Sequence, residues 1–69
     1  MIHDYRKILK IIRHPKNTEK QFKGIESSIQ LFVEKWKSYQ DHPLFIKAKS
    51  NIEFELNNLK IELNIDETN

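Results

Sequence analysis

A row of large apolar residues runs along the middle of the chain. Its members are spaced 3, 4, 3, 4 and 3 positions apart: Phe22, Ile25, Ile29, Phe32, Trp36 and Tyr39. At about 100° per residue they fall on one side of a helix, which is typical of an amphipathic α-helix. Thr18 and Gln21 have the spacing of a capping box, which marks a helix start. The pattern therefore predicts a helix over residues 18–39.

Two His-Pro dipeptides, at residues 14–15 and 42–43, divide the chain. Proline disfavours the helical conformation in the residue before it and has no N–H to donate, so each dipeptide predicts a helix boundary. A second apolar row at helical spacing follows residue 43: Phe45, Ala48, Ile52, Leu56, Leu59 and Leu63. We predict a helix over 43–64, preceded by Asp41 or His42, with Pro43 in its first turn.

The predicted fold class is all-α. A connection of about three residues makes the helices at about 18–39 and 43–64 an antiparallel helical hairpin. A short N-terminal helix near residues 2–13 packs across this hairpin, as in a three-helix bundle that oligomerisation could complete. Residues 1–65 then form a single helical domain, and residues 66–69 form a frayed acidic tail. We expect Trp36 at the centre of the core, surrounded by Phe22, Ile29, Phe32, Ile52, Leu56 and Leu59.

The third predicted helix is apolar on a second side. By the 100° rule, Phe54, Ile61 and Ile65 lie roughly opposite its main row. A surface helix of a monomer normally has one apolar face, and contiguous exposed apolar patches mark interaction sites, although scattered ones can lack a function. The N-terminal helix can cover only one flank. The predicted partner-binding residues are Ile46, Phe54, Ile61, Ile65 and Leu31, and the predicted partner is a second copy of the chain or another protein.

Small residues on the second predicted helix form a notch on its non-core side: Gly24, Ser27 and Ser28. Glycine inside a helix lowers helix stability by about 1 kcal/mol relative to alanine, so Gly24 calls for a structural explanation. Close approach of another helix is one explanation, and a tolerated weak point is the other. The sequence leaves both open.

Charge is distributed unevenly along the chain. Residues 1–39 carry nine Lys or Arg against four Asp or Glu, whereas residues 40–69 carry three against six. A basic amphipathic N-terminal helix suits a phosphate backbone, an anionic membrane surface, the acidic helix of another copy, or plain solvation. A membrane is the less favoured of these partners. The alternative function is therefore nucleic-acid binding, through Arg6, Lys7, Lys10, Arg13, Lys16, Lys20 and Lys23.

No pattern indicates catalysis or metal binding. The three histidines lack a second His or a carboxylate at the spacing of zinc-binding helices. Glu53 and Glu55 point to different sides of a helix, and the chain has no cysteine and no Gly-rich phosphate loop. We predict no enzyme activity, no metal, no cofactor and no small-molecule substrate.

Length and composition fit the same interpretation. The chain has 69 residues, of which 38% are hydrophobic, with one Gly and two Pro. This composition is too apolar for disorder and too poor in turn residues for an all-β fold. The absence of cysteine and of a long apolar run favours a cytoplasmic location. The predicted function is that of a small non-catalytic helical interaction protein, namely an adaptor, inhibitor or assembly factor that acts as a homo-oligomer.

Overall fold

Three helices make up most of the chain in the computed structural model, which describes residues 1–65. They are α1 (Ile2–Ile12), α2 (Glu19–Lys35) and α3 (Pro43–Glu62), with a short 3₁₀ turn at Lys37–Tyr39. Residues 1–65 contain no β-strand. The all-α prediction is confirmed, and the predicted tail at 66–69 lies outside the described residues.

Both His-Pro dipeptides lie at a helix boundary, and in each the imidazole Nδ1 accepts the backbone N–H two residues further on. His42 precedes α3, and its Nδ1 accepts the N–H of Leu44 at 3.1 Å while Pro43 occupies the first turn. His14 follows α1, and its Nδ1 accepts the N–H of Lys16 at 3.1 Å. The imidazole of His42 therefore takes up an N–H that the first turn of α3 leaves free, whereas that of His14 takes up an N–H of the loop after α1.

The start of α2 is the predicted capping box. Thr18 has extended backbone angles, and its N–H donates to Oε1 of Gln21 at 2.8 Å. Because this contact satisfies a donor outside the helix, it fixes the residue at which α2 begins.

The end of α2 differs from the prediction, because the helix stops at Lys35 instead of residue 39. Trp36 adopts φ −106° and ψ 22°, and its indole Nε1–H donates to Oδ2 of Asp4 on α1 at 3.0 Å. An indole N–H that is partly removed from water needs such an acceptor. Tyr39 consequently leaves the apolar row and is exposed. Trp36 itself lies at the edge of the core, not at its centre.

The contacts at the two ends of α1 and α2 show their relative direction. Asp4, in the first turn of α1, bonds Trp36 just after the end of α2. The two helices are therefore antiparallel. The stacked rings of Phe32 and Phe45, with centroids 5.8 Å apart, join the end of α2 to the start of α3.

α1 and α3 run in the same direction. The hydroxyl of Tyr5 accepts from Nδ2 of Asn51 at 3.0 Å, and further along both helices Arg13 pairs with Glu55. α1 makes extensive close contacts with both other helices, whereas α2 and α3 approach each other over a shorter stretch. The first helix thus packs against both other helices and completes the small helical bundle.

The core draws on all three helices. Its buried side chains are Ile8, Leu9, Ile12, Phe22, Ile25, Phe32, Phe45, Ala48, Ile52 and Leu59. Ile52 is the most enclosed of them, with 1% of its surface exposed. Ile29, Leu56 and Trp36 pack against this cluster while remaining partly exposed. Within residues 1–65, no helix is both long enough and apolar enough to cross a membrane.

The two sides of α3 differ sharply in exposure, which allows a matched test of the core. Ile52→Ala should lower the free energy of unfolding by about 2–5 kcal/mol, because it leaves a cavity among close-packed side chains. Ile61→Ala removes the same atoms from a residue that is 69% exposed, and should change it by about 0.5 kcal/mol or less. Urea denaturation followed by circular dichroism, at a protein concentration low enough to keep the chain monomeric, measures both. Equal losses would contradict this assignment of the core.

Candidate functional site

The solvent-facing side of α3 carries an apolar stripe. Its members lie within about 80° of one another by the helical rule, and we call them the outer α3 face: Ile46, Ser50, Phe54, Asn57 and Ile61. The exposed fractions are 54% for Ile46, 67% for Phe54 and 69% for Ile61. The structure thus brings three predicted partner-binding residues onto one surface. It adds Ser50 and Asn57, whose helical spacing between the apolar residues was the signal that the sequence analysis missed.

The outer α3 face has no cover within the described part of the chain. The opposite side of α3 holds Ile52 and Leu59, which are buried against α1 and α2. A helix that packs against one side of α3 cannot also reach the other. The large apolar side chains of the outer α3 face therefore remain in water in a single subunit.

Ile65 does not belong to this face, contrary to the sequence analysis. The helix ends at Glu62, and Asn64 adopts a positive φ of 56°. This left-handed turn, which asparagine tolerates well, brings the N–H of Ile65 to the carbonyl of Lys60 at 3.1 Å. Ile65 is partly buried against the core. The 100° rule failed here because residue 65 lies beyond the helix.

Leu31 lies on another side of the molecule. It is 70% exposed and borders a groove of about 340 Å³ between α1 and α2, together with Ile11, Ser28 and Lys35. No residue of α3 lines this groove. The five predicted partner-binding residues are therefore found in three separate places.

Gly24 has open space around it. A Cβ built on this residue would meet no described atom of the chain within 4 Å. Close approach of α1 is therefore not the reason for the glycine. The hydroxyl of Ser28 donates to the carbonyl of Gly24 at 3.1 Å, so the notch is partly filled by its own helix.

The predicted nucleic-acid residues do not form one surface either. Arg13 turns towards α3, where Nε and Nη2 donate to the two carboxylate oxygens of Glu55 at 2.6 and 2.5 Å. This pairing raises the pKa of Arg13 above its ordinary value. Lys23 borders a groove between α2 and α3, beside Val33 and Leu56. Arg13 is thus engaged within the chain, and Lys23 lies away from α1.

The remaining basic residues stay near α1. Arg6, Lys7 and Lys10 are exposed on its outer side and make no ion pair with any residue of the described range. Lys16 follows in the loop after α1, and Lys20 lies in the first turn of α2. The compact part of the predicted basic site is therefore the trio on α1.

Asp4 is the one acidic residue of α1, and its carboxylate lies against the end of α2. Oδ2 accepts from Nζ of Lys35 at 3.1 Å and from Nε1 of Trp36 at 3.0 Å. The hydrogen bond from Lys35, and then that from Trp36, hold the pKa of Asp4 below its ordinary value. Because Lys35 balances this carboxylate, the outer side of α1 keeps its basic character.

The acidic excess of the second half of the chain does not lie on α3. This helix carries three basic and three acidic residues: Lys47, Lys49, Lys60, Glu53, Glu55 and Glu62. The idea that basic α1 of one chain docks on acidic α3 of another therefore loses its electrostatic basis.

The carboxylates of α3 form no cluster with the histidines. Glu55 is engaged by Arg13, and within residues 1–65 no three His, Asp or Glu side chains gather where they could hold a metal ion. Among the described residues, the predicted site residues gather on two surfaces, the outer α3 face and the basic side of α1.

Comparison of the chain with protein-family models, curated protein sequences and solved structures finds no match. The functional interpretation therefore depends on the geometry of these two surfaces.

The bond between Asp4 and Trp36 gives a pH-dependent prediction. Since folding lowers the pKa of Asp4, its contribution to stability is present above the ordinary aspartate pKa of about 3.9 and is lost as the pH falls through the lower folded value. Asp4→Asn should therefore reduce the melting temperature at pH 7, and the difference from wild type should shrink below about pH 4. Glu34→Gln, at an exposed site of α2, is the control. A pH-independent difference would contradict an ionic role for Asp4.

Proposed function

We propose that this chain is a small non-catalytic helical protein that acts by binding protein through the outer α3 face, and that it does so as a homo-oligomer. The observation that carries the proposal is the exposure of Phe54 and Ile61 on a helix whose other side already forms the core. Adaptor, inhibitor and assembly factor are the roles that such a surface suits. A cytoplasmic location is part of the proposal and rests on composition alone.

The energetics favour a partner for this face. Full burial of a Phe or Ile side chain contributes about 1.5–3 kcal/mol relative to leaving it in water. Large side chains at helical spacing on one stripe are also the anchors by which a helix binds a second helix or a groove. Phe54 has the exposed Ile46 and Ile61 at either end of its stripe, whereas the groove beside Leu31 offers one other exposed large apolar residue, Ile11, next to the buried Ile8 and Phe32. The outer α3 face is thus the better-supported binding surface.

The double variant Phe54→Lys/Ile61→Lys tests the proposal. Wild type should show a sedimentation coefficient that rises with concentration, and the variant should remain a monomer, because two charges replace the apolar anchors. Helicity by circular dichroism should be unchanged, since neither residue is buried.

Leu31→Lys is the matched control, because it places the same charge at an equally exposed leucine on another side of the molecule. It should leave association intact. A wild-type monomer at every concentration, or equal effects of both variants, would overturn the proposed role of the outer α3 face.

Nucleic-acid binding by α1 is the second candidate, favoured by the exposure of Arg6, Lys7 and Lys10 without ion-pair partners in the described range. A membrane-surface helix would need a free apolar side to insert between lipids. The apolar side of α1, with Ile8, Leu9 and Ile12, is buried in the core. The folded chain therefore favours a phosphate backbone over a lipid surface.

Substitution of Arg6, Lys7 and Lys10 by Gln tests this candidate. Wild type should bind duplex DNA at low salt, with log affinity falling linearly as log salt rises. Loss of three phosphate contacts should reduce that slope by about 2.7. Lys23→Gln, at a basic residue away from α1, should leave the slope unchanged. Absence of wild-type binding at low salt would dispose of the candidate.

A further inference from the structure

The groove between α1 and α2 lies away from the outer α3 face and has an apolar lining of its own. The buried side chains of Ile8 and Phe32 line it together with the exposed side chains of Ile11 and Leu31. Ile11 is 44% exposed and Leu31 is 70% exposed. An apolar group that entered the groove would therefore remove two large side chains from water, which favours binding.

α2 continues the groove along its own surface. The residues concerned lie within about 80° of one another by the helical rule, and we call them the groove stripe: Lys20, Gly24, Ser28, Leu31 and Lys35. Gly24 has no side chain, and a Cβ built there would meet no described atom within 4 Å. Two helical turns from Leu31, the groove stripe therefore leaves room for the backbone of a partner to approach α2 closely.

The charged side chains around the groove are mostly basic. Lys7 and Lys35 line it, and Lys20 begins the groove stripe. Asp4 also lines the groove, but Lys35 balances its charge, with Nζ 3.1 Å from Oδ2. Lys7 and Lys20 form no ion pair with any residue from 1 to 65. The groove side of the two helices therefore carries an excess of positive charge.

The acidic residues of α2 lie on another side of the helix. Glu19, Glu26 and Glu34 are about 80–160° from the centre of the groove stripe by the helical rule. The positive charge beside the groove is therefore not cancelled by carboxylates on the same surface of α2. Opposite charge on a partner steers its approach and fixes its orientation on such a surface.

We propose that the groove between α1 and α2 binds an acidic amphipathic helix of a different protein. Helices bind to grooves through apolar anchors at positions i, i+3 or i+4, and i+7. The anchors of the bound helix contact Ile11 and Leu31, and its flanking carboxylates pair with Lys7 and Lys20. Lys20 and Lys35 are about 22 Å apart along α2, so about 15 residues of the bound helix cover the groove stripe. The site goes beyond the proposed function and does not depend on it.

A nucleic acid fits the groove less well than an acidic helix does. Its phosphates would pair with Lys7 and Lys20. They would leave Ile11 and Leu31 without apolar contacts, so the exposed apolar surface of the groove would gain nothing from binding. An acidic amphipathic helix supplies both the apolar side chains and the negative charge.

A second copy of this chain also lacks a surface that matches the groove. Two grooves face to face would bring lysines against lysines. α3 carries three basic and three acidic residues, so it has no negative charge in excess. The acidic side of α2 has, among the described residues, no exposed large apolar side chain that could serve as an anchor. The partner is therefore a different protein.

Titration of the ¹⁵N-labelled chain with synthetic peptides, followed by NMR, tests the site. The probe is a helix-forming peptide of about 18 residues, with Leu at the anchor positions and Glu on either side of them. A matched peptide has Lys in place of every Glu. The glutamate peptide should shift the amide signals of Ile11, Gly24, Ser28 and Leu31. At low salt, where charges are least screened, it should bind about tenfold more tightly than the lysine peptide.

Variants of the chain assign the binding to individual groups. Leu31→Ala should weaken binding of the glutamate peptide about tenfold, because an apolar contact is lost. Lys7→Gln should weaken it about threefold, as expected for an exposed ion pair. Gly24→Gln should weaken binding by filling the open space while raising helicity, since Gln is the better helix former. Lys47→Gln, at an exposed lysine of α3, is the control for charge and should leave the affinity unchanged.

The remaining outcomes would overturn the proposal in distinguishable ways. Equal binding of the two peptides would refute the acidic partner. No spectral change with about 1 mM glutamate peptide, or changes confined to the outer α3 face, would refute the site. Duplex DNA that shifts the groove signals when the glutamate peptide does not would assign the groove to nucleic acid instead. None of these results alters the expected self-association through Phe54 and Ile61.

Discussion

α3 carries large apolar side chains on two opposite sides, and a bundle of three helices can bury only one of them. The chain buries the side with Ile52 and Leu59 and leaves Phe54 and Ile61 in water. A domain of this size removes a smaller fraction of its surface from water than a larger one does, and no element among residues 1–65 covers the second side. We propose that contact with another molecule buries the outer α3 face.

The position of α1 also follows from the small size of the domain, because its apolar side chains are needed to build the core. An isolated helix of 11 residues is marginal in water, and α1 is stabilised because it contributes three side chains to the core. Its polar contacts lie at the edges: Asp4 with Trp36, and Arg13 with Glu55. Polar contacts at an exposed surface add little to stability, so these contacts orient α1 while burial of its apolar side chains stabilises it.

The sequence was informative where a local pattern determines structure. The spacing of apolar residues predicted α2 and α3, and the rule that proline disfavours a helical residue before it predicted both boundaries at His14 and His42. The outward position of Phe54 followed from the same helical rule. These features depend on residues within a few positions of one another.

Most of the remaining features depend on contacts between distant segments. Trp36 leaves the helix where its indole N–H donates to Asp4, which lies 32 positions earlier in the sequence. The residues near Trp36 contain no pattern that predicts this contact. Arg13 was assigned to a basic surface because its partner Glu55 is 42 positions away. Ile65 was assigned to the outer face because the turn at Asn64 could not be read from periodicity. The errors at Trp36 and Arg13 arose because a distant segment decides their positions, whereas the error at Ile65 arose from a local turn beyond the end of the helix.

The most direct test of the claim that the outer α3 face is a binding surface is a dilution series of two-dimensional ¹⁵N–¹H NMR spectra. The account predicts that amide signals of residues 46, 50, 54, 57 and 61 shift or broaden as concentration rises, while those of Leu31 and Ile11 stay constant. Spectra that do not change with concentration, or changes confined to the groove between α1 and α2, would contradict it.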